Sequence, residues 1–312
     1  MTATSQPLLE ATGLERRFGN RPAVRGVDLA VRRGEVVGLL GPNGAGKSTT
    51  LDLLCGVLAP SAGRIRLDGV DLLDEPVSAR ARLGYLPEAA PVDPTARVGD
   101  FLHWAARLRR VPRSWRHTLV ERAIERCALG EVRRRVIRNL SQGFRQRVGI
   151  AQAIVHEPAL IVLDEPTVGL DPRQLHGVRD LIDTLRPDHG ILFSSHILAE
   201  VQAVSDRVTI LHHGRAVYSG AVSGADDHPP RYLLRFAAPP PAAELAGLPG
   251  VRRVDAGPAR SLLLTLETED ALDGITARAA EAQWGLRELS RDRLALERVF
   301  LDLTQSEEEE TP

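Results

Sequence analysis

Apolar runs and amphipathic segments alternate along the first two thirds of the chain. The run at 159–163 (ALIVL) is uninterrupted, which is typical of a strand buried on both faces. Pro172 follows Asp171 and predicts the start of a helix that continues to about Leu185. Strands that alternate with helices predict an α/β fold with a mostly parallel sheet. The other predicted elements of this part are strands at 8–12, 24–31, 35–40, 190–194 and 208–211 and a helix at 49–57.

Two other parts of the chain have different patterns. Residues 97–156 show helical periodicity without a buried strand, which predicts a helical subdomain within a first domain of residues 1–222. The composition then changes to SGADDHPPR, which predicts a linker at 223–231. A small α+β unit, ferredoxin-like in its pattern, is predicted at 232–304, followed by a solvated acidic tail at 305–312. Its predicted strands are at 232–237, 251–254, 262–266 and 286–289, and its helices are at 270–283 and 294–303.

Charge is balanced over the whole chain but not within it. The 312 residues carry a net charge of -1, which argues against a nucleic-acid partner for the chain as a whole. The segment 97–147 alone contains fourteen arginines and four acidic residues, a net charge of +10, so the remainder carries -11. Only one of the 40 basic residues is a lysine, Lys47.

The composition also bears on the compartment. Cys55 and Cys127 both lie in apolar, helix-like stretches and are predicted to be buried thiols rather than a disulfide. The first residues lack the basic and apolar regions of a secretory signal, and no run of 18 apolar residues occurs. We therefore expect a soluble protein of the reducing cytoplasm.

The single lysine belongs to a phosphate-binding loop. Residues 41–48 (GPNGAGKS) fit the pattern G-x-x-x-x-G-K-[ST], with a predicted strand before them and a helix after them. The glycines allow backbone N–H groups to point at phosphate oxygens, and the helix directs its positive end at the same anion. Lys47 is placed to contact the β- and γ-phosphates, and Ser48 is placed to ligate Mg²⁺. The alternative, a glycine turn before a helix, does not account for the lysine.

Two adjacent carboxylates follow the buried strand at 159–163. At the carboxyl end of a parallel strand, Asp164 and Glu165 are expected beside the phosphate loop. Asp164 suits a Mg²⁺ partner, and Glu165 suits a general base that polarises the attacking water. The alternative is an acidic N-cap of the next helix.

Several ordered motifs carry a family resemblance. Residues 140–147 (LSQGFRQR) resemble the LSGGQ signature of ABC ATPases and precede Asp164 at the family's spacing. Residues 169–171 (GLD) resemble its D-loop, and His196 in SSHILAE resembles its switch histidine. Phe18 matches the aromatic residue that stacks on adenine, and Glu88 in LGYLPE occupies the Q-loop position. The resemblance covers residues 8–220.

The resemblance implies the fold and the site. The fold is that of a P-loop NTPase, an ABC nucleotide-binding domain with a helical signature subdomain. ATP and Mg²⁺ are the implied cofactors, and two chains form a head-to-tail dimer in which Ser141 and Gly143 of each complete the site of the other. Glu165 and His196 are the implied catalytic residues, and Ser48, Glu88 and Asp164 are the implied metal ligands. The implied nucleotide contacts are Phe18, Gly41, Pro42, Asn43, Gly44, Ala45, Gly46, Lys47, Ser48, Thr49, Ser141, Gly143 and Asp171.

The chain departs from the family pattern at four positions. Gln142 replaces the first signature glycine and Phe144 replaces the signature glutamine, while Ser141 and Gly143 are retained. The Q-loop glutamine is Glu88, which can ligate Mg²⁺ but as a carboxylate cannot donate a hydrogen bond. The D-loop serine is Val168. We expect ATP-dependent closure to persist, and we interpret Phe144 as a packing residue.

The motifs LPE and SQGFRQRVGIAQA and the ending LERVFLDLT resemble the ATP-binding subunits of ABC-2-type exporters. The implied role is to hydrolyse ATP and drive a separate membrane permease, from the inner face of the cell membrane. The permease is expected to dock between Glu88 and about Trp104. A non-transport ABC ATPase acting on ribosomes or nucleic acid is the alternative, although the ribosomal kind carries two nucleotide domains in one chain.

Simpler interpretations remain for individual residues. Phe18 fits a half-buried strand residue as well as an adenine contact, and His196 fits a core histidine as well as a switch. Residues 212–213 (HH) precede a glycine and are predicted to be solvated turn residues, while Trp104 and Trp115 are predicted to pack between helices. For the basic segment 97–147, one hypothesis is contact with anionic lipid or an acidic permease loop. The other is a solvated surface paired with the acidic remainder of the domain.

Overall fold

A computed structural model describes residues 6–222, 230–237, 239–257 and 261–291. The chain divides into two compact units, the first of which runs to Val222, while the second begins at Ser223. Most of the predicted linker, the predicted last helix at 294–303 and the acidic tail lie outside the described residues.

A six-stranded sheet forms the centre of the first unit. Its order is β10-β9-β3-β8-β7-β6, in which only β10 runs antiparallel to its neighbour. Strands β3, β7 and β8 are buried along their whole length, as the apolar runs within them predicted, and the burial of β8 includes its two terminal serines. The strands are β3 (Val36–Leu40), β6 (Leu83–Leu86), β7 (Leu160–Leu163), β8 (Gly190–Ser195), β9 (Arg207–His212) and β10 (Arg215–Ala221).

A second sheet of the first unit is antiparallel, which the expectation of a mostly parallel sheet did not include. Its order is β2-β1-β4-β5. The Arg-Ile-Arg-Leu alternation within β4 was a signal for it, since Ile65 and Leu67 are buried while the arginines face outward. Side chains of both sheets and of the helix after β3 share one apolar core, which includes Leu14, Leu39 and Leu51. The strands are β1 (Leu9–Phe18), β2 (Arg21–Val31), β4 (Ala62–Leu67) and β5 (Val70–Asp71).

Helices complete the first unit. Residues 97–156 contain three α-helices and two short 3₁₀ turns, as predicted, and β-bridging there is limited to one isolated pair, Arg97 with Val136. Ion pairs from Arg122 to Glu157 and from Arg126 to Asp188 connect this segment to the sheet-bearing part of the unit. The helices are α1 (Lys47–Leu54), α2 (Pro76–Arg80), α3 (Val98–Leu108), α4 (Arg113–Arg126), α5 (Gln142–Ile154), α6 (Pro172–Leu185) and α7 (Leu198–Val204).

The second unit has the ferredoxin-like order of elements. Its four antiparallel strands are arranged β12-β13-β11-β14, and one helix follows β11 and another follows β13. Leu234, Leu264 and Ile275 are fully buried in its core, and Phe236 and Trp284 meet edge to face. The elements are β11 (Arg231–Phe236), α8 (Ala242–Ala246), β12 (Val251–Ala256), β13 (Leu262–Leu266), α9 (Ala271–Glu281) and β14 (Leu286–Arg291).

The predictions for cysteine and tryptophan differ in outcome. Cys55 and Cys127 are both buried free thiols, as expected, and burial raises the pKa of Cys127 to about 12. The prediction that Trp104 and Trp115 pack between helices is wrong, because their exposed fractions are 53% and 59%. The helical pattern located both residues on helices but could not show which face of each helix lacks a neighbour.

His156 makes the first unit sensitive to acid. The residue follows α5, and its Nε2–H donates to the carbonyl of Leu83 at 3.1 Å. Burial, with a contribution from the charge of Arg109, lowers the pKa of His156 to about 4. The folded state therefore binds fewer protons than the unfolded chain between about pH 6.5 and pH 4, and stability falls as pH falls through that range.

We expect His156→Gln, which keeps a donor for the Leu83 carbonyl, to reduce this acid sensitivity. The fall in unfolding free energy between pH 7.5 and pH 5 should shrink by up to about 2 kcal/mol, as measured by urea denaturation. The exposed His176→Gln is the matched control. If the unfolding free energies of wild type and His156→Gln depended equally on pH, His156 would not be a source of the acid sensitivity. Stability of His156→Gln should still depend on pH to some extent, because burial also lowers the pKa of His189.

Candidate functional site

The predicted motifs meet at one edge of the parallel sheet. Strand β3 ends at Leu40, directly before the phosphate loop, and β7 ends directly before Asp164. Strand β8 ends directly before His196, and Glu88 follows β6 by two residues. Because parallel strands present their carboxyl ends at the same edge, segments far apart in sequence become neighbours.

The phosphate loop is held by close backbone contacts. Gly46, which precedes α1, has a φ of 101°, and a Cβ there would lie 2.7 Å from the carbonyl oxygen of Ala23. A Cβ at Gly41 would lie 2.5 Å from the carbonyl oxygen of Leu211. Both positions therefore require glycine. The buried Lys47 ammonium donates to the carbonyls of Gly41 at 2.7 Å and Pro42 at 3.2 Å, so the loop itself orients this cation.

Asp164 is hydrogen-bonded beside the loop. Its Oδ1 accepts from the Ser194 hydroxyl at 2.6 Å, and Ser48 also donates to its side chain. Burial raises the pKa of Asp164, the two hydroxyl donors partly oppose this shift, and the nearby charges of Glu165 and Glu88 add to it. Ser48, Asp164 and Glu88 therefore bring oxygen ligands together at the start of α1.

Glu165 lies between two nitrogen-bearing side chains. Its Oε1 is 3.3 Å from Lys47 Nζ, and its Oε2 accepts from Nδ1 of His196 at 2.9 Å. Because a carboxylate only accepts, the His196 proton involved must be on Nδ1, which leaves Nε2 free for another contact. Glu165 is itself 7% exposed and has a φ of 46°, a left-handed conformation that is unusual for glutamate.

A cavity of about 860 Å³ opens at this edge. Phe18 borders it at the end of β1 and is 50% exposed, and the guanidinium of Arg16 lies 4.8 Å from the centre of its ring. The ring is therefore held by a cation–π contact and is accessible from the cavity. The other predicted site residues that line the cavity are Asn43, Gly44, Gly46, Lys47, Ser48, Thr49, Glu88, Glu165 and His196.

Three predicted residues lie elsewhere in the first unit. Ser141 is the N-cap of α5 and accepts from the amide of Phe144 at 3.4 Å, and Asp171 is the N-cap of α6 and accepts from the amide of Gln174 at 2.9 Å. The Gln174 side chain also lies against Gly143, where an added Cβ would be 2.7 Å from it. The signature and D-loop segments are therefore neighbours at the starts of two helices. Ser141, Gly143 and Asp171 do not line the cavity, whereas Val168, at the D-loop serine position, does.

Sequence analysis missed some residues of the site. His213 is an exposed turn residue between β9 and β10, as predicted, whereas the prediction is wrong for His212, which is half-buried at the end of β9. His213 also lines the cavity, together with Arg21 and Arg25. The amide of Gly214 donates to the carbonyl of Ala45 at 2.9 Å, which ties this turn to the phosphate loop. No motif marks these residues, because only the packing of the two sheets brings them to the loop.

Comparison with known proteins identifies the family. Residues 24–168 match the family described as ABC transporter. The chain is 39% identical to the ABC transporter ATP-binding protein NatA of Bacillus subtilis (strain 168), over 69% of this chain and 90% of that protein. It is 34% identical to the daunorubicin resistance ATP-binding protein DrrA3 of Streptomyces coeruleorubidus, over 94% of each.

A solved structure of an ATP-binding subunit of an ABC transporter matches with a TM-score of 0.63 and 32% identity, over 69% of this chain and 90% of that one. The chain therefore belongs to the family of ABC transporter ATP-binding proteins, and its first unit has the P-loop fold of an ABC nucleotide-binding domain. Nucleotide binding follows from that family. Within the described residues, no helix combines the length and apolar character needed to cross a bilayer.

Replacement of Ser194 should destabilise this edge of the sheet. The fully buried Ser194 hydroxyl donates to Asp164 and accepts from the amide of Glu165 at 2.8 Å. Ser194→Ala leaves both buried groups without that partner, and we expect a loss of about 1–3 kcal/mol in unfolding free energy, measured by denaturant titration. The exposed Ser114→Ala should change stability by less than about 0.5 kcal/mol. Equal stability of the two variants would contradict this role.

Proposed function

We propose that this chain hydrolyses ATP with Mg²⁺ and thereby powers a separate ABC-2-type membrane permease that acts as an exporter. The observation that carries the proposal is the position of Glu165. Its buried carboxylate contacts both Lys47 of the phosphate loop and His196 at the mouth of a nucleotide-sized cavity.

Each group of the site has a role in this proposal. The phosphate loop binds the phosphates through backbone N–H groups and Lys47, and Phe18 stacks on the adenine. Glu165 orients the attacking water and accepts its proton. His196 uses Nδ1 to hold Glu165, which leaves Nε2 to contact the γ-phosphate.

The residues beside the loop fit a magnesium ion. Ser48, Asp164 and Glu88 offer hydroxyl and carboxylate oxygens, which Mg²⁺ prefers. Burial raises the pKa of Asp164 and the charges of Glu165 and Glu88 add to the rise, so a bound cation would stabilise the ionised carboxylate. The ion supplies charge neutralisation at the transferred phosphoryl group. The Q-loop departure is compatible with this role because Glu88 still presents an oxygen.

A head-to-tail dimer accounts for the residues that lie outside the cavity. Ser141 and Gly143 lie at the N-terminus of α5, where backbone N–H groups favour an anion. In the proposed dimer they contact the γ-phosphate in the site of the second chain, and Asp171 lies close to that junction. Gln142 bonds to Arg145 at 3.0 Å and Phe144 is half-buried, so neither departure removes a phosphate contact.

The proposed permease surface lies on α3. Trp104 and Leu108 are one turn apart and 53% and 60% exposed, with the exposed Arg107 between them. An apolar row of this kind on a soluble domain is typical of an interaction site. It lies at the end of the stretch from Glu88 to Trp104 in which docking is expected. Export as the direction is supported by the name of another relative, the Nod factor export ATP-binding protein I of Ralstonia nicotianae, which is 34% identical over 69% of this chain.

We expect Glu165→Gln to abolish ATP turnover while ATP binding is retained. The amide cannot accept the water proton, so the variant should accumulate as an ATP-dependent dimer in size-exclusion chromatography. Lys47→Ala should reduce nucleotide binding or hydrolysis by orders of magnitude. The exposed Glu131→Gln is the control and should hydrolyse ATP normally. Turnover of Glu165→Gln at the wild-type rate would show that another group is the base.

We expect Phe18→Ala to weaken ATP binding by roughly 1–3 kcal/mol, because the base loses its stacking partner. Fluorescence titration with ATP measures the change, and Phe18→Trp should preserve the affinity. Val217→Ala, at an exposed strand position of similar accessibility, serves as control. Unchanged affinity in Phe18→Ala would assign Phe18 a purely structural role.

We expect Trp104→Ser and Leu108→Ser to reduce co-purification of the permease from membranes without changing ATP turnover of the isolated chain. The control is Leu73→Ser, because Leu73 is 51% exposed on another part of the first unit. Co-purification that is unaffected by both variants would exclude α3 as the docking surface.

The lipid hypothesis for segment 97–147 is separable from docking. Arg122, Arg126 and Arg133 are paired with carboxylates, whereas Arg110 and Arg134 are exposed. Preferential binding of the isolated chain to anionic over neutral vesicles, weakening with salt, would support lipid contact. Equal binding would leave these arginines as a solvated surface.

A further inference from the structure

Glu200 is a buried carboxylate that the proposed chemistry does not use. It lies in the first turn of α7 and is 6% exposed. Its Oε2 accepts two hydrogen bonds, from the Thr167 hydroxyl at 2.6 Å and from the Ser195 hydroxyl at 2.8 Å. A buried carboxylate is costly unless it is hydrogen-bonded, so the two donors and Glu200 form one unit.

The first donor belongs to the turn that carries Glu165. The amide of Val168 donates to the carbonyl of Glu165 at 3.2 Å, and Thr167 lies within this turn. Glu165 has the left-handed φ of 46°, a conformation that persists only where the surroundings impose it. The bond from Thr167 to Glu200 restrains the turn two residues after Glu165. The bond from the Glu165 amide to Ser194 restrains the turn at Glu165 itself.

The second donor belongs to the segment that carries His196. Ser195 Oγ donates to Glu200 and accepts from the amide of Ile197 at 3.0 Å. Ser195 and Ile197 flank His196, so these two bonds restrain the backbone on both sides of the histidine. His196 is itself 41% exposed in its side chain and depends on this backbone for its direction.

We propose that Glu200 is a positioning residue that keeps the side chains of Glu165 and His196 within hydrogen-bonding distance of each other. The inference rests on the proposed function, since it assigns Glu200 a role in ATP hydrolysis. Glu200 touches neither the cavity nor the reacting groups. It joins the turn after Glu165 to the backbone around His196, and the 2.9 Å contact between those two side chains depends on that connection.

The test compares three variants at two positions. Glu200→Gln retains an oxygen that can accept from both hydroxyls, whereas Glu200→Leu retains the volume but no acceptor. Thr167→Val removes one donor at constant shape. Thr184→Val, which removes a hydroxyl on the exposed face of α6, is the matched control. The measurements are kcat and KM for ATP, thermal stability, and the side-chain NMR signals of His196 in the nucleotide-free protein, assigned with His196→Gln.

We expect Glu200→Leu and Thr167→Val to lower kcat by at least about tenfold with KM changed less than about twofold, because a misplaced base slows the chemical step. Glu200→Gln should remain near the wild-type rate. The His196 signals should shift in the first two variants and not in Glu200→Gln or Thr184→Val. If Glu200→Leu fails to fold, Thr167→Val decides the question.

Two results would overturn the proposal. One is a wild-type kcat in Thr167→Val and Glu200→Leu. The other is a parallel loss of kcat, ATP binding and stability in which Glu200→Gln is as impaired as Glu200→Leu, since that pattern indicates a merely structural role. If the wild-type chain does not hydrolyse ATP, the proposed function fails. The His196 signals of the nucleotide-free variants then decide the positioning role alone, and unchanged signals in Thr167→Val overturn it.

Discussion

The contact of the Glu165 carboxylate with Lys47 and His196 depends on the side-by-side arrangement of three parallel strands in the first unit. The three side chains follow three different strands, β7, β3 and β8, which are adjacent in the sheet. A buried charge of this kind persists only because oppositely charged and hydrogen-bonding partners surround it. The parallel register of these strands is therefore a requirement of the site as well as of the fold.

The arrangement around Glu165 is held from several directions. Ser194 and Ser195 are consecutive on β8, and they serve different partners because successive residues of a strand point to opposite faces. Ser194 bonds to Asp164 and to the Glu165 amide, and Ser195 bonds to Glu200. A pair of small hydroxyl side chains thus supports both sides of a glutamate whose backbone conformation is unfavourable.

The charge distribution has a similar explanation. Part of the excess charge of segment 97–147 is neutralised within the unit, where Arg122 and Arg126 bond to acidic residues of the sheet-bearing part. These pairs connect the helical segment with the phosphate-binding part, while Trp104 and Leu108 on α3 remain uncovered. Trp104 and Leu108, with the exposed Arg107 between them, are therefore the side chains that make up the proposed permease surface.

Family resemblance indicated the signature segment, while the sequence by itself determined the phosphate loop, the acid pair and the order of most strands and helices. Each is a local pattern, set by a glycine that must turn, a lysine that must reach a phosphate, or an apolar run that must be buried. The pattern also placed His196 after a strand, which brought it to the correct edge of the sheet.

Only the tertiary structure decided which separate segments touch. The second, antiparallel sheet, the cavity contacts of His213 and the burial of Glu200 depend on packing between elements distant in sequence. The exposure of Trp104 and Trp115 depends on where neighbouring elements end. Periodicity assigns a residue to a helix or strand, but the free energy of burial is set by the neighbour on the other side, which a local pattern does not contain.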